Sequence, residues 1–498
     1  MSPEPSSDRD HPRQAARRIA ANTIYLVAAD FVGKGLAFAF FVVAARHLGA
    51  AGFGVLSTAL AYVAIFAVFT DLGLGALSSR EIARNPGQAS ELVRAALAMK
   101  LTVSLVLMVA AGISVNLLGY PPETVRVTYI ASLFILTSAL ALYFGFVFQG
   151  LERMVFSAVF RAVQAAVLVV SAVLLTRYPP QASIYAWIYV GASAIGALTA
   201  GIILIRLSVR VGLSFRFGVW RRMLRASLPI GLAAAFAMLY YWNGTTILAR
   251  VVGDEAVGFY NAPFRLVMGL GFLAHSFSGA LYPVMSRLHL NEGERLQGLL
   301  SAALRYMMVL AFAIGAAGLA LHRPAVLLLF GEQYGPSAPL LALLVWWGAC
   351  VCLNSLLSCY FYAVNRPKVV AVQAGVSLGT NVVLNLVLIP LLGALGVAVA
   401  IVAAEVVGTV VLLARQVRTP HPLRTRVVLG TLLRVLGAGA GAGVLCWFFA
   451  NRHSVSGLDA VPGLVVFIGS YGLLLLGLRA FRQEDRKVVS LLLRRETA

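Results

Sequence analysis

The sequence predicts an all-α polytopic membrane protein with about fourteen transmembrane helices. Of its 498 residues, 60% are hydrophobic and 12% are charged, whereas a soluble domain is usually about half apolar and a quarter charged. The mean hydropathy is +0.87, and one spanning helix requires about 20 apolar residues. This composition excludes a soluble enzyme, a disordered chain and a nucleic-acid binder, so no nucleic-acid partner is expected despite the net charge of +21.

Apolar runs separated by turn residues define the predicted spans. Proline-containing turns such as Tyr120-Pro121-Pro122, Tyr178-Pro179-Pro180 and Asn365-Arg366-Pro367 separate several of them. The predicted spans are 19–45, 53–76, 95–118, 126–149, 154–176, 182–205, 227–249, 260–285, 302–321, 338–363, 369–391, 394–414, 430–450 and 461–481.

The basic residues predict the orientation of these spans. With the N-terminus in the cytoplasm, 29 of the 40 Lys and Arg residues fall in cytoplasmic tails and loops or within four residues of one, and six fall likewise on the opposite side. Cytoplasmic loops of membrane proteins carry such an excess. We therefore expect a multi-pass protein of the cytoplasmic (inner) membrane with both termini in the cytoplasm, and no cleaved signal peptide.

Two short motifs recur and indicate an internal duplication. Residues 45–54 and 249–258 both fit A-R-x-x-G-x-x-x-x-G, and residues 148–153 resemble residues 361–366. The offsets are close to the length of six helices, an even number, so the halves should be parallel repeats with a site between them. The predicted organisation is an N-terminal tail (1–18), an N-lobe (19–206), a basic linker (207–226), a C-lobe (227–414), a basic loop (415–429), spans 13 and 14 (430–482) and a C-terminal tail (483–498).

The run from Ala45 to Arg84 resembles the opening of the polysaccharide biosynthesis flippases. These Wzx-type transporters belong to the multidrug/oligosaccharidyl-lipid/polysaccharide exporter superfamily. The resemblance lies in an R-x-L-G-x-x-x-F-G turn, here Arg46 to Gly54, and in the D-L-G motif Asp71-Leu72-Gly73. Further matches occur in order up to about residue 415, among them Ser227-Leu228-Pro229 and the segment from Asn381 to Gly396.

This resemblance implies a transporter, not an enzyme, with two six-helix lobes and two additional C-terminal helices. It implies that the cargo is an oligosaccharide repeat unit on undecaprenyl pyrophosphate, which is moved across the membrane by alternating access for O-antigen, capsule or exopolysaccharide assembly. A polysaccharide polymerase and glycosyltransferases are the implied protein partners, besides the lipid bilayer. The sequence contains no Walker-type phosphate loop, so we expect no direct ATP hydrolysis. A cation-coupled multidrug extruder, a lipid II flippase and a non-transporting scaffold remain alternatives.

Charged and polar residues within spans are the candidates for cargo binding, because a charge at mid-bilayer costs about 2.5–3.5 kcal/mol and normally faces protein or water. Arginine suits a diphosphate, since its planar fork donates paired hydrogen bonds and keeps its charge. Amides such as Gln and Asn hydrogen-bond sugars. The candidates for the pyrophosphate and glycan are Lys34, Arg161, Arg265, Gln164 and Asn243.

Three other residues are candidates for coupling to H⁺ or Na⁺, namely Asp30, Glu405 and His275. Asp30 and Lys34 are four residues apart and share a helix face, so a self-neutralising pair is an alternative. For His275 a hydrogen-bonded interior histidine is favoured. No cofactor is expected, and no metal site, because the four cysteines are interpreted as small buried hydrophobes.

The remaining polar residues of the spans are predicted to have structural roles. Asn381 and Asn385 should hydrogen-bond between helices. Asp71 should belong to a turn. Lys100 and Arg434 should extend from near helix ends to the cytoplasmic interface.

Overall fold

The computed structural model describes residues 10–420, 422–423, 425–450 and 460–478. In this part of the chain the regular elements are helices, with no strands. The helices are α1 (Asp10–Ala67), α2 (Leu74–Arg84), α3 (Ala89–Leu117), α4 (Pro122–Gly150), α5 (Met154–Leu175), α6 (Ala182–Arg206), α7 (Phe217–Val251), α8 (Asp254–Asn291), α9 (Gly293–Phe330), α10 (Ala338–Ala363), α11 (Pro367–Leu392), α12 (Ala394–Gln416), α13 (Thr425–Ala450) and α14 (Ala460–Gly477).

Eleven of the described helices are long and apolar enough to cross a membrane. Each requires its backbone polar groups to be satisfied within the segment, which an α-helix achieves. The predicted class, an all-α polytopic membrane protein, is confirmed.

Several helix ends differ from the predicted spans. Helix α2 lies in a segment predicted to be a loop, and α7 begins at Phe217, ten residues before the predicted seventh span. Helix α9 extends by about nine residues beyond the predicted ninth span at each end. Hydropathy detects only the apolar part of a helix, so polar turns that continue the helix outside the bilayer are missed.

The described chain divides into two compact units, residues 1–48 with 55–242 and residues 49–54 with 243–498. The first unit has a core in which α2, α3, α4 and α6 meet, around buried Tyr143 and Phe148. The second unit has a core of α8, α9 and α10. Helices α13 and α14 pack on α9, where the Tyr471 hydroxyl donates a hydrogen bond to the Val309 carbonyl oxygen at 2.9 Å.

The first repeated motif has the same backbone break in both copies. Helix α1 is interrupted at Gly49, with φ 69° and ψ 178°. Gly253, 204 residues later, separates α7 from α8 with φ 118° and ψ 172°. Both φ values lie in a region that side chains other than glycine's rarely adopt. The two glycines of the motif therefore terminate a helix at equivalent places.

The second repeated motif also folds alike in both copies. Glu152 and Asn365, 213 residues apart, both have φ 56°. The Arg153 amide bonds back to the Phe148 carbonyl at 2.9 Å, and the Arg366 amide bonds back to the Phe361 carbonyl at 2.8 Å. This six-to-one bond closes a helix C-terminus in the Schellman manner. Both repeated sequence motifs therefore have the same backbone geometry in their two copies.

The last glycines of the first motif make a reciprocal contact within the second unit. A Cβ built on Gly54 would lie 1.6 Å from the Asp254 carbonyl oxygen, and a Cβ built on Gly258 would lie 1.9 Å from the Ala50 carbonyl oxygen. Gly54 and Ala50 correspond to Gly258 and Asp254 at the same offset of 204 residues. Small residues let helix backbones approach this closely, so both copies of the motif need glycine for packing.

Candidate functional site

Arg161 lines a small polar cavity in the first unit. The cavity has a volume of about 100 Å³ and lies between α4 and α5. Gly145, Gln149, Ser157 and Arg161 provide its polar surface, and Leu142, Phe146 and Met154 provide an apolar surface. A Cβ on Gly145 would lie 3.8 Å from Arg161 Nη2, an ordinary van der Waals distance, so the guanidinium lies beside α4 at this position. The Ser157 hydroxyl donates to the Gly145 carbonyl oxygen at 3.4 Å. The cavity therefore combines a permanent cation with hydroxyl and amide groups.

The other candidates of the first unit lie outside this cavity. Gln164 packs against α6, where a Cβ on Gly196 would lie 3.0 Å from its side chain. Lys34 is exposed on α1. The side chain of Asp30, its predicted partner, lies outside the described residues, and so the predicted Asp30–Lys34 pair stays a prediction.

A buried ion pair joins α3 to the turn that follows α1. Lys100 has no exposed surface, and its ammonium group donates to Asp71 Oδ1 at 2.6 Å and to the Thr70 carbonyl oxygen at 3.2 Å. It also lies 5.4 Å from the centre of the Tyr143 ring. The same Asp71 oxygen accepts from the Gly75 amide at 3.2 Å, so the carboxylate satisfies both a cation and the first turn of α2.

The prediction that Lys100 reaches the interface is wrong. Helix α3 begins at Ala89, so Lys100 lies three turns inside it, and a carboxylate 29 residues earlier in the chain neutralises it. The prediction of a structural turn at Asp71 is confirmed. This turn holds Leu72 at φ 40° and Gly73 at φ 81°, and a Cβ on Gly231 of α7 would lie 2.3 Å from the Leu72 Cα.

An amide cluster joins α7 to α11 in the second unit. Asn243 Nδ2 donates to Asn381 Oδ1 at 2.8 Å, and Asn385 Nδ2 donates to Asn243 Oδ1 at 2.7 Å. All three are buried. Asn381 and Asn385 continue a row of polar residues on α11, spaced four residues apart, that begins with Gln373 and Ser377. The predicted interhelical role of Asn381 and Asn385 is confirmed. Asn243, a candidate for the glycan, uses its amide in this cluster.

Glu405 is buried between α12 and α10. Only 7% of it is exposed, and Asn354 Nδ2 donates to its Oε1 at 2.7 Å. Asn354 also bonds to the Glu405 carbonyl oxygen at 3.3 Å, and the Thr409 hydroxyl bonds to the same oxygen at 2.9 Å. The Glu405 carboxyl group therefore accepts a hydrogen bond from a neutral donor on the neighbouring helix.

The two candidates on α8 are placed differently from each other. Arg265 is half-buried, and the helix begins at Asp254, so this guanidinium lies three turns inside it. His275 is exposed, and its Nδ1 lies 2.9 Å from the Gly271 carbonyl oxygen of its own helix. The hydrogen-bonded state predicted for His275 is confirmed, but its predicted interior position is wrong.

Sequence patterns did not reveal the Lys100–Asp71 pair, because nothing in the spacing of residues 29 apart indicates contact. The amide cluster had a signal, namely the spacing of four residues on α11. Within the described residues, no three His, Cys, Asp or Glu side chains are grouped so as to hold a metal ion.

Comparison with solved structures identifies the fold. The chain is similar to "Lipid II flippase MurJ, inward closed conformation", with a TM-score of 0.71, 15% identity and coverage of 91% of this chain and 98% of that one. It is also similar to an inward-facing multidrug resistance MATE family transporter of the MOP superfamily, with a TM-score of 0.58, 17% identity and coverage of 77% and 94%. The chain therefore shares the fold of these two proteins.

Comparison of sequences defines the family. The family model described as polysaccharide biosynthesis protein matches residues 19–289, and the chain belongs to that family. It is 24% identical over 396 residues to "Probable low-salt glycan biosynthesis flippase Agl15" of Haloferax volcanii, covering 79% of this chain and 82% of the relative. It is 25% identical over 258 residues to "Probable flippase AglR" of the same organism, covering 51% of this chain and 54%, about half, of that relative.

Proposed function

We propose that the protein is a flippase for glycan biosynthesis, and that its cargo is an oligosaccharide repeat unit linked to undecaprenyl pyrophosphate. Membership of the polysaccharide biosynthesis family carries this proposal. Two similar proteins of Haloferax volcanii bear the name flippase, and one of them aligns with 79% of the chain. The proposed location is the cytoplasmic membrane, with both termini in the cytoplasm, as the distribution of basic residues predicts.

The cavity at Arg161 supports an anionic cargo. Placing a guanidinium in a spanning helix costs free energy, and such charges usually have a function in transport. Arginine binds phosphate oxygens through two parallel hydrogen bonds, and Gln149 and Ser157 add groups that hydrogen-bond phosphate or sugar hydroxyls. The proposed role of Arg161 is to bind the pyrophosphate, with Arg265 and Lys34 as further cations on the route of the headgroup.

The proposed transport cycle is alternating access. The headgroup binds from the cytoplasmic side, the prenyl chain stays in the lipid, and a conformational change exposes the headgroup on the opposite side. Glu405 is the proposed carrier of a coupling H⁺ or Na⁺, since its carboxyl group is buried beside the neutral donor Asn354.

Export of glycan by a deletion strain that carries variant genes tests the proposal. Arg161→Ala is expected to reduce export at least tenfold, because one charge-assisted hydrogen bond is worth about 1.5–3 kcal/mol. Arg161→Lys should retain part of the activity, since it keeps the charge and loses the fork. Arg434→Ala is the matched control, because that arginine is exposed on α13, and it should export normally.

Three results would contradict the proposal. Full export by Arg161→Ala at a normal protein level would remove the role of the cavity. Failure of the purified protein, reconstituted in vesicles, to move a fluorescent lipid-linked oligosaccharide would remove the flippase function. Sensitivity of the deletion strain to cationic drugs with normal glycan export would indicate a multidrug extruder instead.

A further inference from the structure

Helix α2 is a short amphipathic helix held firmly against the end of α4. Its Leu74 and Ile82 side chains are buried, whereas Arg80 is exposed. A Cβ on Gly150 of α4 would lie 2.7 Å from the Ser79 carbonyl oxygen, so the two backbones are in close contact. The apolar face of α2 is therefore covered by protein, and its basic residues Arg80 and Arg84 are exposed.

The segment between α6 and α7 is fastened to the start of α3. The Arg210 amide donates to the Ser90 hydroxyl at 3.0 Å, and the Ser214 amide donates to the Arg94 carbonyl oxygen at 3.1 Å. These bonds place the first turn of α7 beside α2 and the start of α3. Six arginines and no acidic residue occur between positions 206 and 225.

A cavity of about 450 Å³ lies among α2, the start of α3 and the start of α7, entirely within the first unit. Its lining combines buried apolar side chains, such as Ile82 and Met223, with the exposed arginines Arg80, Arg216 and Arg222. The inner wall is thus apolar and the mouth is positively charged. This distribution matches an amphiphile with a negative headgroup.

The carboxylates of the mouth already have basic partners. Glu81 Oε1 lies 3.2 Å from the Arg80 guanidinium, and Glu91 pairs with Arg216. Arg222 makes no ion pair with any side chain that the structure describes. The Arg222 guanidinium is therefore the positive charge at the mouth of the cavity that is available to bind a ligand.

We propose that this cavity binds the phosphorylated headgroup of an anionic membrane phospholipid, with Arg222 as the principal contact. Guanidinium groups recognise phosphate oxygens in paired hydrogen bonds, and basic clusters at the edge of spanning helices attract anionic lipids. The apolar inner wall accommodates the first carbons of the acyl chains, which a free phosphate ion lacks. This site is separate from the cavity at Arg161 and independent of the proposed cargo.

Binding to the purified full-length protein in neutral detergent tests the proposal. The probes are dioctanoyl phosphatidylglycerol, dioctanoyl phosphatidylcholine and inorganic pyrophosphate. The affinity of the protein for each probe is measured by microscale thermophoresis. Phosphatidylglycerol should bind most tightly, and its affinity should fall as salt is raised. Arg222→Ala should weaken its binding about tenfold, Arg222→Lys should weaken it less, and Arg225→Ala should change it less than twofold. Arg225 is the matched control, because it is exposed one turn further along α7 and does not line the cavity.

Three results would overturn the proposal. The first is equal affinity for phosphatidylglycerol and phosphatidylcholine. The second is unchanged affinity in Arg222→Ala. The third is stronger dependence on Arg222 for inorganic pyrophosphate than for phosphatidylglycerol, which would make the cavity a site for the pyrophosphate of the cargo. None of these measurements involves transport, so their outcome is distinct from the outcome of the export assay on Arg161.

Discussion

Substitution of Gly258 by alanine tests the reciprocal glycine contact. The added Cβ would lie 1.9 Å from the Ala50 carbonyl oxygen, and real Cβ atoms essentially never approach within 3.0 Å of another heavy atom. The two backbones must therefore separate by about 1.1 Å, the difference between these distances. The obstacle is a backbone atom that no rotamer change removes, and overpacking of this kind costs about 1–3 kcal/mol.

The measurement is the free energy of unfolding in mixed micelles, followed by tryptophan fluorescence. Gly279→Ala is the matched control, because Gly279 lies on the same helix, α8, and a Cβ there meets nothing within 4 Å. The control substitution should leave the free energy of unfolding unchanged or raise it slightly, since alanine in a helix is about 1 kcal/mol more favourable than glycine. The free energy of unfolding of Gly258→Ala should be about 1–3 kcal/mol lower than that of Gly279→Ala.

The partner glycine allows a second comparison. Gly54→Ala should destabilise as well, because its Cβ would lie 1.6 Å from the Asp254 carbonyl oxygen. The double variant should cost less than the sum of both single variants, since one separation of the backbones relieves both clashes. Equal stability of Gly258→Ala and Gly279→Ala would refute the packing argument, and strict additivity would refute the shared contact.

The remaining predictions concern Asp71 and Glu405. Lys100→Ala should destabilise the protein by about 3–5 kcal/mol, because it leaves the largely buried Asp71 carboxylate without its cation. The double variant Lys100→Met with Asp71→Leu should be more stable than Lys100→Ala in the same unfolding assay, and the reverse order would contradict the role of charge. Glu405→Gln keeps an oxygen that accepts from Asn354 and removes the titratable group, so reconstituted transport should persist at a reduced rate and lose its dependence on the H⁺ or Na⁺ gradient. Retention of that dependence would exclude Glu405 as the coupling residue.

The fold was predictable to a large extent because a bilayer imposes a simple rule on sequence. Spanning helices must be apolar over about 20 residues, and predicted spans such as 338–363 and 394–414 agree closely with α10 and α12. Helix α2 was missed because an eleven-residue amphipathic helix carries no hydropathy signal. The extension of α7 to Phe217 was missed because its added turns contain Arg221, Arg222 and Arg225.

The candidate site was predictable only in part. Arg161 was predicted because an arginine in an apolar run normally faces protein or water, and the structure places it in the lining of a cavity. The partner of Lys100 was not found, because pairing between residues distant in sequence depends on how helices pack. Exposure of His275 likewise depends on which side of α8 is covered by its neighbours.

The amino-acid sequence alone determined the membrane class, the order of the apolar helices and the two repeated motifs, because each of these depends on local composition and on residues near one another in the chain. Tertiary structure decided which polar side chains meet. Packing brought Asp71 to Lys100, Asn243 to Asn381 and Asn385, and Arg222 to the cavity beside α2. A buried polar group must find a partner, but the sequence does not state which one, since that choice depends on the crossing of helices.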